Sequence, residues 1–138
     1  MAGPTRPPFL REGILMKYPP KVALAFEAAM VSAAKARVAG DPAQCLAFLE
    51  RAHLIGQGVF VWHWRTHWQM LSLAISQSSG QEIMGQFVRL SLVPIGHLLG
   101  RLPLGNVGST RMGTFDIAPL PDDIARLFDG SNTGGPQP

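Results

Sequence analysis

The sequence predicts an all-α fold, a small antiparallel helical bundle of about four helices. Three observations carry that reading. Residues 21–39 are dominated by alanine and other strong helix formers. Three punctuations, Gly40-Asp41-Pro42, Gly56-Gln57-Gly58 and Ser78-Ser79-Gly80, cut the chain into segments of helical length. Finally, 46% hydrophobic residues against 15% charged ones requires those segments to pack on one another. At 138 residues the chain is long enough for one domain with one core.

The first helix is predicted from Lys21 to Ala39, with Gly40 as its stop. Asp41 is placed to cap the second, and Pro42 takes the first helical position, where its missing N–H costs nothing. That helix extends to about Gly56. The third runs from Phe60 to Gln77. The fourth opens at Gln81 and reaches about Leu92; Pro94 kinks or ends it, with a helical continuation through His97 to Leu99. Beyond Arg101 the turn-rich run LPLGNVGSTRMGTF predicts an ordered loop wrapping the bundle, with Leu102, Leu104, Met112 and Phe115 as its anchors. A short capped helix follows from Asp122 to Phe128. Residues 1–20 are a Pro-rich N-terminal arm, 21–128 the helical domain and 129–138 a flexible tail. The helix pairing is tetratricopeptide-like at best: two helical hairpins, without a second copy that aligns residue by residue.

Composition narrows the function classes. The net charge of +3 and a pI near 9.6 are mildly basic, but the Lys and Arg residues are scattered rather than gathered on one stretch. No nucleic-acid partner is expected from such a pattern. A single cysteine, Cys45, excludes an internal disulfide framework and any multi-Cys zinc site, and fits a reducing cytosol. The most apolar segment, Ile83 to Leu104, carries Arg89, Pro94, His97 and Arg101, so no membrane span is expected. The N-terminus lacks the apolar run of a secretory signal. The expected setting is cytoplasmic.

Residues Leu49 to Met70 hold three of the four histidines and all three tryptophans. At helical spacing Phe60, Trp64, His67, Trp68, Leu71 and Ile75 form one stripe of the third helix, predicted to face the core, with Arg65 pointing outward. Trp62 and Leu73 fall off that stripe and offer a second contact surface, for the C-terminal wrap or for a homodimer. On the second helix Cys45, Phe48, Leu49, Ala52, Ile55 and Gly56 make the apolar face, bordered by Glu50, His53 and Gln57. Glu27 sits among apolar residues of the first helix and needs a partner if that face is internal.

His63 and His67 are four apart, so their rings project from one helical face as metal ligands do. Glu50 and His53 form a Glu-x-x-His unit on the preceding helix, the building block of carboxylate metal sites in bundles. Antiparallel packing brings these pairs together, with Glu27 within reach from the first helix. One such unit is too few for a di-iron centre, and no His-Glu-x-x-His motif occurs, so the pattern points to a mononuclear site for zinc, iron or copper. His97 stands alone on the fourth helix and is read as structural or solvent-exposed. The Gly105-to-Gly108 turn lacks a phosphate-loop pattern and is read as structural, although with Arg101 or Arg111 it could cradle an anion. Glu50 has Arg51 and Lys21 as alternative partners.

The block LERAHLIGQ, then HWRTHWQM, GRLPLGNVG and Phe115 before APLPDD resembles DUF3703, a bacterial family of unknown function, over roughly Phe26 to Phe128. Glu50, His53, Gln57, His63, His67, Arg101, Pro103, Gly105, Asn106 and Gly108 match its pattern, and His97 does not. The resemblance implies a compact helical domain and assigns no activity.

The leading expectation is therefore a small cytoplasmic helical protein with a metal site. His53, His63 and His67 are its ligands, Glu50 is a ligand or orienter, and Glu27 is a remote candidate. Two other readings stay open. One is a metal-free enzyme in which His67 or His53 is the general acid or base and Glu50 orients it. Its small-molecule ligand is apolar and lies in a pocket between the second and third helices. The other is a helical-hairpin interaction module presenting Trp62 and Leu73.

Overall fold

The computed structural model describes residues 18–101 and 105–129. The expectations on the arm up to residue 17, on Leu102, Pro103 and Leu104, and on the tail from residue 130 lie outside the described residues.

Among the described residues the chain forms five helices and no strand. They are α1 (Pro20–Val38), α2 (Pro42–Gly56), α3 (Phe60–Ser76), α4 (Gly80–Leu99) and α5 (Asp122–Phe128). Each consecutive pair from α1 to α4 is joined by a tight turn and packs together, so successive helices run antiparallel; α5 docks on α1. The turns use the predicted chemistry. Asp41 accepts a hydrogen bond from the Gln44 N–H (3.0 Å) at the start of α2, and Pro42 occupies the first turn. Ser79 accepts from the Glu82 N–H (3.4 Å) at the start of α4. The fourth helix is one element through Pro94 rather than two, because the exposed Pro94 ring faces solvent and a single missing N–H is tolerated there.

The core is built where α1, α2 and α3 meet, from Val22, Phe26, Leu49, Ala52, Ile55 and Met70, with Ile124 of α5 closing one end. The face of α3 differs from the predicted one. Trp62 and Leu73 are 3% and 6% exposed, whereas Trp64, Trp68, Phe60 and Ile75 are 37–57% exposed. Trp62 stacks on Phe26, ring centroids 4.9 Å apart and planes 12° from parallel. Trp62 and Leu73, expected to offer a homodimer or interaction surface, are instead buried within the chain. The physical reason is that α3 is apolar nearly all round, so hydrophobicity does not select a face. Packing against α1 and α2 on one side and α4 on the next turns Trp62, Thr66 and Leu73 one way and His63, His67, Met70 and Ala74 the other.

Glu27 has its partner, Arg65, which the sequence placed outward: the guanidinium donates to both carboxylate oxygens at 2.7 and 3.3 Å. The alternatives offered for Glu50 are also taken elsewhere. Arg51 pairs with Asp123 (2.6 Å), and Lys21 donates to the carbonyls of Arg126 and Asp129. These three bonds fasten α5 and the residue after it to the bundle. No helix is long and apolar enough to cross a membrane among the described residues.

Candidate metal centre

The described stretch from Gly105 to Asp116 is held mainly by buried polar groups, with Val107 packed against the core and Met112 half-buried. Phe115, expected as an anchor, is 75% exposed, while Asn106 and Ser109 are 2% and 0% exposed. The Asn106 amide donates to the carbonyls of Gly113 (2.7 Å) and Asp116 (2.9 Å) and accepts from the Gly108 N–H (2.9 Å). Glu50, at the face of α2, fixes the other side. Its carboxylate accepts from Arg111 Nε (2.7 Å) and Nη2 (2.6 Å) and from the Ser109 hydroxyl (2.5 Å). Hydrogen bonding to Glu50, and then its negative charge, raise the Arg111 pKa. Glu82 of α4 accepts from both the backbone N–H and the hydroxyl of Thr110. The buried Arg89 guanidinium donates to the carbonyls of Ser109 (3.0 Å) and Met112 (2.7 Å). The loop is therefore clamped from α2 and α4, and α3 lies between them.

That clamp delivers the loop to the histidines. The Asn106 carbonyl lies 2.8 Å from His53 Nδ1. A carbonyl only accepts, so Nδ1 carries the proton and Nε2 of His53 presents its lone pair. Glycine is required beside it: a Cβ on Gly108, whose φ is +84°, would lie 2.7 Å from the His53 ring. Gly105 is equally constrained, with φ +75° and the Ala118 carbonyl filling the space of a Cβ.

His67 is fixed by the same logic. Gln86, fully buried on α4, donates its amide N–H groups to the Gly108 carbonyl (2.9 Å) and to Glu82 (2.7 Å). Both partners are acceptors, so Gln86 Oε1 must face His67 Nδ1, at 2.7 Å. His67 Nδ1 carries the proton and its Nε2 is a lone pair.

The three rings then converge. His67 Nε2 lies 3.1 Å from His53 Nε2 and 3.2 Å from His63 Nε2, and ligand atoms of the three residues all fall within 4.8 Å of one another. His63 Nδ1 is 3.0 Å from Nε2 of His97, so the histidine read as isolated is the partner of a clustered one. A His63 N–H aimed at His67 is compatible with this network when His97 supplies the proton to His63 Nδ1. No neutral tautomer, however, puts a proton between His53 and His67. An added proton would bridge them only by placing a charge in a buried site beside Arg89. Burial first, then the neighbouring imidazoles, holds His53 well below the usual histidine range. Burial likewise takes His67 to about 4 and His63 to about 3.

The structure thus brings together three of the five residues singled out as metal candidates. His53, His63 and His67 form the cluster. Glu50 is held by Arg111 and Ser109, and Glu27 by Arg65. Of the residues the sequence did not connect with the site, His97, Gln86, Asn106 and Arg89 have the largest parts. Asn106 was carried only by the family pattern. Gln86 had no separate signal, since a lone glutamine on a helix is ordinarily a surface residue. His97 lies on the inner border of α4 together with Arg89, Leu90 and Val93, a spacing that could have linked it to the site.

A cavity of about 280 Å³ opens from the histidine rings. The second and third helices supply its floor, but its wall is α4 and the loop, through Leu92, Val93, Ile95, Leu99 and Phe115. Arg101, exposed, stands at its edge. No match to a curated protein or to a solved structure accompanies these features. Residues 20–128, nearly the whole described chain, match the family described as protein of unknown function (DUF3703). The chain belongs to that family.

Proposed function

We propose that this protein is a metal-binding protein whose centre is a mononuclear tri-histidine site. One observation carries the reading: the Nε2 lone pairs of His53 and His67 face each other at 3.1 Å with both Nδ1 protons committed elsewhere. Two lone pairs at that distance repel unless something positive lies against both, and burial makes a proton a poor candidate. The donor set fits an ion. At about 2.0–2.1 Å from each nitrogen, ligands of a tetrahedral or octahedral ion stand roughly 2.9–3.4 Å apart. The His53–His67 and His63–His67 separations of 3.1 and 3.2 Å lie inside that range, and the ligand atoms of all three residues fall within 4.8 Å of one another. Backbone carbonyl and amide acceptors on the remote ring nitrogens are the partners that fix ligating imidazoles and raise their basicity. Three neutral imidazoles favour zinc, with copper and iron as the other members of the same preference.

His53, His63 and His67 are the ligands in this reading. Asn106, Gln86 and His97 orient them, and Glu50 acts at one remove by holding the loop. The site lies in a cytoplasmic protein, where Cys45 stays reduced. A metal-free general base is less well supported, because burial takes His67 to about 4 and holds His53 well below the usual histidine range, so both are weak bases near neutrality. Elemental analysis of protein purified without a histidine tag tests the proposal, with a His63→Ala/His67→Ala double variant beside it. One transition-metal ion per chain, lost in the variant, is expected. Equal substoichiometric metal in both refutes it.

A further inference from the structure

The ligand set is unusual in its charge. It contains no carboxylate, and the carboxylates nearest to it are already matched. Glu50 is paired with Arg111, and Glu82 lies beside the buried Arg89 while accepting from Thr110 and Gln86. A divalent ion on His53, His63 and His67 therefore keeps its charge uncompensated by protein. Arg89 adds a fixed positive charge close enough to act on both His53 and His67. Such a centre favours an anion at whatever coordination position the protein does not fill. That position faces the cavity, since the cavity starts from the same three rings.

The cavity has a second character. Leu92, Val93, Ile95, Leu99 and Phe115 line it, and Arg101 stands at its edge. At about 280 Å³ it holds about nine non-hydrogen atoms, taking roughly 30 Å³ for each as for liquid water. Hydroxide alone would need no apolar wall of this extent, and a wholly apolar ligand would leave the electropositive floor without a counter-charge. We infer that the site takes a small organic monoanion, its oxyanion head on the metal and its hydrocarbon body along the α4 wall. A carboxylate of four to seven carbons has the right charge and size. This inference rests on the metal reading, and it specifies the ligand class of that site.

The test uses a homologous series on the full chain. Acetate, butanoate, hexanoate and the neutral hexanamide are titrated calorimetrically into protein loaded with Zn²⁺, and into metal-free protein. A cobalt-loaded sample reports the head group directly, through a change in its visible d–d bands. Affinity is expected to rise by about fourfold at most for each methylene that enters the apolar wall. Hexanamide and the metal-free protein should bind at least tenfold more weakly than hexanoate on the loaded protein. Leu99→Ser, an exposed position on the wall, should flatten the dependence on chain length, and Arg101→Gln should weaken every anion.

Affinity independent of chain length overturns the apolar part of the inference. Hexanamide binding as well as hexanoate overturns the anionic part, and unchanged cobalt bands overturn placement of the head group on the metal. In all three cases histidine-dependent metal loading still stands. If no metal loads, the metal reading and this inference fall together, and elemental analysis distinguishes that outcome from the others.

Discussion

Gln86 is where the site and the stability of the fold can be separated most cleanly. It is fully buried, accepts from His67 Nδ1 at 2.7 Å and donates to the Gly108 carbonyl at 2.9 Å and to Glu82 at 2.7 Å. Gln86→Leu keeps the volume nearly constant and removes all three bonds. His67 Nδ1–H and the Gly108 carbonyl are left buried without a partner, at about 1–3 kcal/mol each, so metal-free protein should lose about 2–6 kcal/mol in urea unfolding. Metal affinity should fall about 10–100-fold, the usual cost of removing the group that orients a ligating histidine. Competition against a chromophoric chelator measures it. Gln86→Glu separates the two effects. A carboxylate still accepts from His67, and more strongly, so metal affinity is expected to hold or rise. It cannot donate to Gly108 and stands against Glu82, so stability should still fall. If Gln86→Leu loses stability yet binds metal as wild type does, Gln86 is a packing residue and the reasoning fails.

Gly108→Ala should cost at least about 2 kcal/mol, from a strained left-handed residue and a Cβ pressed to 2.7 Å of the His53 ring; unfolding curves and loss of metal report it together. The pH dependence of metal-free protein has a definite sign. Folded His67 and His63 titrate near 4 and 3, below the ordinary 6.5, so the unfolded chain binds more protons throughout that interval. The stability these rings contribute is complete above pH 6.5 and drains as the pH falls toward 4 and then 3. The slope approaches about 1.4 kcal/mol per pH unit for each ring. A flat profile between pH 4 and 6.5 contradicts it. Trp62→Ala should cost about 3–5 kcal/mol and Trp68→Ala less than about 1 kcal/mol, the reverse of what the hydrophobic stripe of α3 predicts. Thermal unfolding of the pair decides between the two faces.

The helices of this protein were legible because their signals are local. Asp41-Pro42, Gly40 and Ser79 act on the backbone within a turn of where they stand, so the boundaries of α1, α2 and α3 fall within a residue or so of expectation. The histidine cluster was legible in part for the same reason: His63 and His67 share a face by periodicity alone, and α2 must fold back beside α3. Glu27 and Glu50 do not join the cluster, because the place of a carboxylate in the sequence says nothing of which cation reaches it first. Arg65 lies 38 residues from Glu27 in the chain, and Arg111 lies 61 from Glu50.

What the sequence determined by itself is the all-α class, the division into helices and the histidines as the residues of interest. All of these follow from propensity, capping and spacing within a few residues. Only the tertiary structure decided which side of α3 is buried, since an element apolar on most sides is oriented by its neighbours. It also decided that His97 joins His63, and that Asn106 and Gln86 fix the protons of His53 and His67. Those assignments depend on bonds spanning 19 to 53 residues. A hydrogen bond is set by ångström distances between groups that folding alone brings together, and no local pattern in the chain encodes it.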